Sequence, residues 1–314
     1  MDKIQSLTGM LDLYEDGDNT NLSSKIFETE RRIKKIFSSY QLNEIRTPAL
    51  EDTNLFKRSV GDVSDIVNKE IYSFNDRNDK SIALRPEGTA SVIRAIIEKK
   101  LDQSNHKLWY MGPMWRYERP QKGRYRQFYQ AGIEILGYKE GSPEFEMISI
   151  ICSIIKEFNL QNCHIKINHL GSQENKEAYC KALTDYLAPF KDKLDSKDLE
   201  RLTRNPLRVL DSKNEETILL LKGAPSIKSF LEPSALQLLE DIKNQFGDIC
   251  SIEIDHSLVR GLDYYSGFVF EAISSNLGAQ DSFLGGGRYD HLCSKLGGKN
   301  LPSIGMAIGI ERFA

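Results

Sequence analysis

A chain of 314 residues, 40% hydrophobic and 28% charged, has room for one large or two smaller domains and the composition of an ordinary soluble globular protein. Its formal net charge of -3 excludes a globally basic surface, so any nucleic-acid contact must come from a local basic loop. The five cysteines, Cys152, Cys163, Cys180, Cys250 and Cys293, form no C-x-x-C pair and are odd in number; this argues against a disulfide framework and for a reducing cytoplasm.

The N-terminal MDKIQSLTGML lacks the apolar core of a signal peptide, and no run approaches the ~18 apolar residues of a membrane span. Residues 20–40 place Ile26, Ile33, Ile36 and Phe37 at helical spacing and predict an amphipathic helix, with Ser23 or Ser24 as its cap. In EIRTPALED, Ile45 and Thr47 suggest a short strand stopped by Pro48. Residues 70–74 and 81–84 predict a hairpin about NDRND, and 90–100 a helix. Two long strands, 107–118 and 125–137, flank the polar loop ERPQKGR; a helix at 144–158 and the strand HIKINHL follow. From 172 to 247 helical patterns dominate and strand signals vanish, and strands return at 249–254, 258–273 and 303–309. The expected fold is α+β: a largely antiparallel sheet flanked by helices, formed by 1–171 and 248–314, with an all-helical insertion at 172–247.

Side chains alternate across a strand, so Arg126, Phe128, Gln130, Gly132 and Glu134 share one face of 125–137, opposite the core face of Tyr129, Ala131, Ile133 and Ile135. Gly132 would leave an open floor between Gln130 and Glu134 for a small polar molecule; an ordinary half-exposed strand fits the same pattern. Arg116 and Glu118 share a face of the preceding strand, and Arg119, Lys122 and Arg124 gather charge in the loop, as for phosphate or as a solvated turn. Arg260, in the apolar VRGLDYYSGFVFEAI, needs an anionic partner, and Asp263 is its only sequence-local anion. LGGGRYDHL matches no phosphate-loop pattern. In SIGMAIGIERF a strand enters a helix; Gly305, Ala307 and Gly309 leave a flat slot wide enough for a purine, with Arg312 aimed at it. The five histidines show no metal-ligand spacing, so no metal site is expected among protein ligands alone.

LRPEGTA (84–90), RYERPQKGRYRQFYQAGIEILG (116–137), VRGLDYYSGFVFE (259–271), GGGRYD (285–290) and GMAIGIERF (305–313) resemble, in order, motifs of the histidyl-tRNA synthetases, which are class II aminoacyl-tRNA synthetases. NPLRVLDSK (205–213) resembles part of that family's helical insertion, and EIRTPALED its motif 1, at the dimer interface. The resemblance implies ATP-dependent activation of histidine, with Mg²⁺, and its transfer to tRNA by a cytoplasmic homodimer. Glu87, Thr89 and Gln130 would hold the amino group of histidine. Glu134 and Tyr265 would read the imidazole, with Tyr264 alongside. Arg116 and Arg260 would carry the chemistry, gripping the α-phosphate and the substrate carboxylate. Glu118 and Phe128 would position adenine, and Arg124 and Arg312 the outer phosphates. Arg119, Gln121 and Lys122 would meet the tRNA acceptor end. The motif 1 reading places the subunit interface at the segment around Pro48, with Leu50, Leu55, Phe56 and Val60 standing in a polar neighbourhood. Thr8 stands where the family usually has arginine, and the family's C-terminal anticodon-binding domain is not among the 314 residues. A regulatory, non-catalytic paralogue, the synthetase-like subunit of ATP phosphoribosyltransferase, shares the expected fold; the intact ERPQ loop and RGLDYY favour the enzyme.

Overall fold

The computed structural model describes residues 3–15, 21–61, 66–120, 124–274 and 282–313. Helix α1 (Leu22–Ser39) is capped by Asn21, whose side chain accepts the Ser24 N–H. Ser23 and Ser24, the expected caps, already lie inside the helix, whereas Asn21 has the extended backbone that a cap requires.

The strands form an eight-stranded sheet and a small three-stranded one. The small sheet pairs β2 (Leu50–Asp52), β4 (Ser81–Leu84) and β3 (Ser73–Asn75), with β3 and β4 making the expected hairpin. Helix α2 (Thr53–Val60) leans on it: Leu55 and Phe56 are buried with Ala83 and Ala90, and Val60 is buried as well. Of the four residues expected at a subunit interface only Leu50 is exposed, because the others fill this local core.

The large sheet runs, edge to edge, β1 (Asn43–Glu44), β5 (His106–Trp115), β6 (Gln127–Leu136), β11 (Ser303–Gly309), β10 (Ser282–Arg288), β9 (Phe268–Ser274), β7 (Cys163–His169) and β8 (Ser251–Ile254). Its middle is antiparallel and its two edge pairs, β1 with β5 and β7 with β8, are parallel. Strand β10 is the segment whose glycines hid it from the sequence pattern. Residues 258–267, expected as strand, carry none; the strand there begins at Phe268.

One face of the sheet packs Ala131, Ile133, Phe268, Phe270, Ile304 and Ile308 against α1, α4 (Ser142–Glu157) and α8 (Pro233–Phe246). The other carries α3 (Thr89–Glu98), the short α9 (Leu292–Lys295) and a helical block containing α5 (Gln173–Leu187), α6 (Ser196–Arg204) and α7 (Glu215–Leu221). Residues 172–247 contain no strand, and α8 within them buries Leu239, Ile242 and Phe246 in the sheet's core. No described helix is long and apolar enough to cross a membrane.

Candidate active site

A cavity of about 650 Å³ opens on the face that carries α3. One end is cationic. Arg116, just past β5, donates Nε–H to the Pro86 carbonyl at 2.9 Å and sits 5.2 Å from the centre of the Phe128 ring. Burial lowers its pKa. Arg124 is ion-paired with Glu118, whose carboxylate also lies 3.8 Å from Arg116. Arg312, in the 3-10 turn Ile310–Arg312 after β11, donates to the Ser282 carbonyl. Burial depresses its pKa, and the charges of Arg124 and Arg116 add to that. Arginines that disfavour one another's charge form a site that a polyanion relieves.

Arg260 pairs with Glu271 at 2.6 Å, not with Asp263 as the sequence suggested. The reason is strand geometry: Glu271 projects from β9 onto the cavity face, whereas Asp263 is held by Asn205 at 2.8 Å and Arg208 at 3.3 Å. The Arg260 guanidinium lies over Gly285, where any Cβ would overlap it, so the first glycine of GGGRYD makes room for this arginine. Its Nε remains buried without a partner among the described residues.

The adjoining end is built of carboxylates and phenols, with Glu87 in the field of Arg116 and Tyr265 in that of Arg260. Glu87 accepts the N–H groups of Thr89 at 2.8 Å and Ala90 at 2.9 Å, capping α3, and burial raises its pKa. Thr89 Oγ1 donates to Glu134 at 2.7 Å, and the Tyr289 hydroxyl donates to the other Glu134 oxygen. Burial pushes Glu134 up to about 8, against these two donors. The rings of Tyr264 and Tyr265 lie 4.7 Å apart, and Tyr264 meets Tyr289 edge-on. Gln130 Oε1 is buried with no partner among the described residues.

Every residue expected to bind histidine or ATP lines this cavity except Glu134, which is fully buried behind it. Two geometric expectations fail. Gly132 is no open floor: the Tyr110 ring occupies the space above it. The small-residue slot is shorter than predicted, because Glu134 fills the space beside Gly305 and only Ala307 and Gly309 reach the cavity. Arg119 is exposed, and Gln121 and Lys122 lie outside the described residues. Sequence reasoning missed Glu271, Tyr110 and Tyr289. Glu271 had a signal, being the one carboxylate in the apolar VFEAI; Tyr110 carried none within its strand, and Tyr289 lay in the glycine-rich segment that matched no phosphate-loop pattern. No described group of three His, Cys, Asp or Glu side chains could hold a metal.

A largely antiparallel sheet whose β5–β6 hairpin presents Arg116 and Phe128, with Arg312 closing the last strand, is the catalytic fold of a class II aminoacyl-tRNA synthetase. The histidyl-tRNA synthetase family model matches residues 20–313. A histidine–tRNA ligase of Francisella philomiragia is 47% identical over 288 residues, covering 90% of this chain and 68% of that protein. Apo histidyl-tRNA synthetase of Staphylococcus aureus superposes with a TM-score of 0.78 at 33% identity, over 99% of this chain and 73% of that one. A Bacillus halodurans structure described as an ATP phosphoribosyltransferase regulatory subunit/histidyl-tRNA synthetase shares the fold alone, with a TM-score of 0.70 at 21% identity; it covers 98% of this chain and 82% of that one. This chain belongs to the histidyl-tRNA synthetase family.

Proposed function

We propose that this chain activates L-histidine with ATP and transfers it to tRNA. The observation that carries the reading is a single cavity joining two chemistries: Arg116 and Arg260 at one end, Glu87 and the tyrosine–Glu134 cluster at the other. Histidine's amino group would lie at Glu87, Thr89 and Gln130, and its imidazole toward Glu134 and Tyr265. Its carboxylate oxygen attacks the α-phosphorus of ATP; the bond to the bridging oxygen breaks and pyrophosphate leaves. Two anions must meet in this step. Fixed guanidinium groups hold them together and neutralise charge as it develops, without reorganising at the moment of reaction. Phe128 offers its face to adenine beside Glu118, while Arg124 and Arg312 face the outer phosphates. Arg119, exposed in the loop after β5, would meet the tRNA end.

Mg²⁺ commonly binds through one or two carboxylates together with substrate phosphates. Glu118 and Glu271 line the cationic end and suit that mode. The ion supplies charge neutralisation on the phosphates when bound. The free cysteines fit a cytoplasmic setting. We also infer a homodimer through the segment around exposed Leu50.

Histidine-dependent exchange of radiolabelled pyrophosphate into ATP tests the activity. Exchange above the no-histidine background is expected; a folded sample that binds histidine but shows none would return the regulatory reading. Light scattering of the same sample at micromolar concentration should give twice the chain mass, and a monomer mass overturns the dimer.

A further inference from the structure

One phenol at the amino-acid end has no role in the reaction described above. Tyr110, on β5, is 3% exposed, and its hydroxyl has no hydrogen-bond partner among the described residues. Buried hydroxyls are nearly always bonded, so one left unpaired beside a ligand cavity points to a partner that arrives with the ligand. The ring's seat is built for it. Gly88, before α3, and Gly132, on β6, both lie against the ring, and a Cβ at either would overlap it. Two glycines on different elements thus give up side chains to admit one tyrosine. Burial, with the fields of Glu134 and Glu87 added to it, keeps the phenol protonated and able to donate. Once the amino and carboxylate groups of a bound amino acid are fixed at Glu87 and the arginines, its side chain is the part that extends toward Glu134. Tyr110, like Glu134, stands behind the cavity's lining rather than on it, with its ring against Gly132 and with Glu134 and Thr89 as neighbours.

We propose that Tyr110 is a further specificity residue of the amino-acid subsite, its hydroxyl completing the polar lining that recognises the nitrogen edge of a heteroaromatic side chain. The inference rests on the histidine-activating reading above. It differs from the part played by Tyr289, which acts through Glu134 by donating to it. The Tyr110 hydroxyl has no partner at hydrogen-bond distance among the described residues, Thr89 being the side chain that comes nearest to bonding it, so a ligand nitrogen can take it up.

The test is Tyr110→Phe in the full chain. Pyrophosphate exchange gives KM for histidine and ATP, inhibition gives Ki for β-(2-thienyl)alanine, and thermal unfolding is followed without ligand. Thienylalanine matches the ring's shape but has no ring nitrogen. Loss of one hydrogen bond should raise KM for histidine about tenfold. Ki for thienylalanine, KM for ATP and kcat should stay within about twofold, and ligand-free Tm should not fall, since the lost hydroxyl has no partner there. A purely structural hydroxyl would move histidine and thienylalanine together and lower Tm, which would overturn the proposal. An unchanged KM for histidine would also overturn it, an ordered water then being the hydroxyl's partner. Wild-type protein without histidine-dependent exchange would instead overturn the functional reading on which the inference rests.

Discussion

The two ends of the cavity solve opposite problems. At the cationic end each arginine holds a partner it can exchange: Arg124 has Glu118, Arg260 has Glu271, and Arg116 and Arg312 have backbone carbonyls. Arg124 and Arg260 remain partly open to solvent. An incoming phosphate can replace such partners at little cost, because one anion or dipole substitutes for another. At the amino-acid end the bonds run among buried groups, Glu87 to the α3 backbone and Glu134 to Thr89 and Tyr289, and they form without any ligand. The first end is arranged to trade charge and the second to hold a fixed pattern of donors and acceptors. Rate should therefore depend most on the first, and discrimination among amino acids on the second.

Arg260→Ala is expected to have the largest effect. A preorganised charge at the reacting centre contributes roughly 10²–10³ in rate, so exchange should fall by that factor. The substitution also strands Glu271 without its partner. Tm should drop for that reason, and the double variant Arg260→Ala/Glu271→Gln should recover Tm without recovering exchange. If the double variant regains activity as well, the arginine serves the fold and the comparison of ends fails.

At the other end, Glu134→Gln should weaken histidine binding by ~1.5–3 kcal/mol, the worth of a charge-assisted hydrogen bond, and leave ATP affinity nearly unchanged in calorimetry. An equal loss for both ligands would make Glu134 a general structural carboxylate. The pH profile sharpens the point. Burial holds the Glu134 proton up to about 8, while free imidazole loses its own near ~6.5. Between those values one proton is available to be shared by the carboxyl and the ring, so histidine affinity should be flat. Below ~6.5 the pair carries one proton too many, and above about 8 one too few, so affinity should fall about tenfold per pH unit on either side. Gln cannot titrate, and Glu134→Gln should abolish the decline above 8 while keeping the one below 6.5. An unaltered upper limb would assign that titration to another group.

The cationic end was the more legible in the sequence, for a physical reason. Arginines and carboxylates amid apolar strands are conspicuous, and strand alternation alone put Phe128, Gln130 and Glu134 on one face. The β5–β6 hairpin and the helical pattern over 172–247 were readable from period and from turn residues. What alternation cannot give is depth. It placed Gly132 and Glu134 on the cavity face correctly but could not show that Tyr110, from the neighbouring strand, fills the space above that glycine. Nor could it pair Arg260 with Glu271, because that contact depends on where 255–267 leaves the sheet and where β9 begins. Strand β10 was missed because three adjacent glycines erase the pattern by which strands are recognised, and Gly285 is there to admit an arginine from elsewhere in the chain.

That same segment between β8 and β9 supplies the subtlest test of the comparison, since it feeds both ends: Arg260 to one, Tyr264 and Tyr265 to the other. It makes no strand, so something else must hold it. Arg208 donates to the Gly261 carbonyl and, at 3.3 Å, to Asp263, while Asn205 reaches Asp263 at 2.8 Å and Lys176 reaches the Tyr265 carbonyl at 3.2 Å. All three donors belong to the helical block at 172–247, which therefore clamps the segment from outside the cavity. Hydrogen bonds to charged groups contribute ~1.5–3 kcal/mol when well buried, but Arg208 and Asp263 are partly exposed. About 1 kcal/mol is the reasonable share after solvent screening. Arg208→Ala should then lower kcat/KM for exchange about fivefold. Because the segment serves both ends, the loss should appear with histidine and ATP alike, unlike Glu134→Gln. Amide hydrogen exchange at 259–267 should accelerate in parallel. A variant with faster amide exchange but normal turnover would mean that the segment is ordered by substrate rather than by the helical block, and the two ends would then be coupled through the ligand alone.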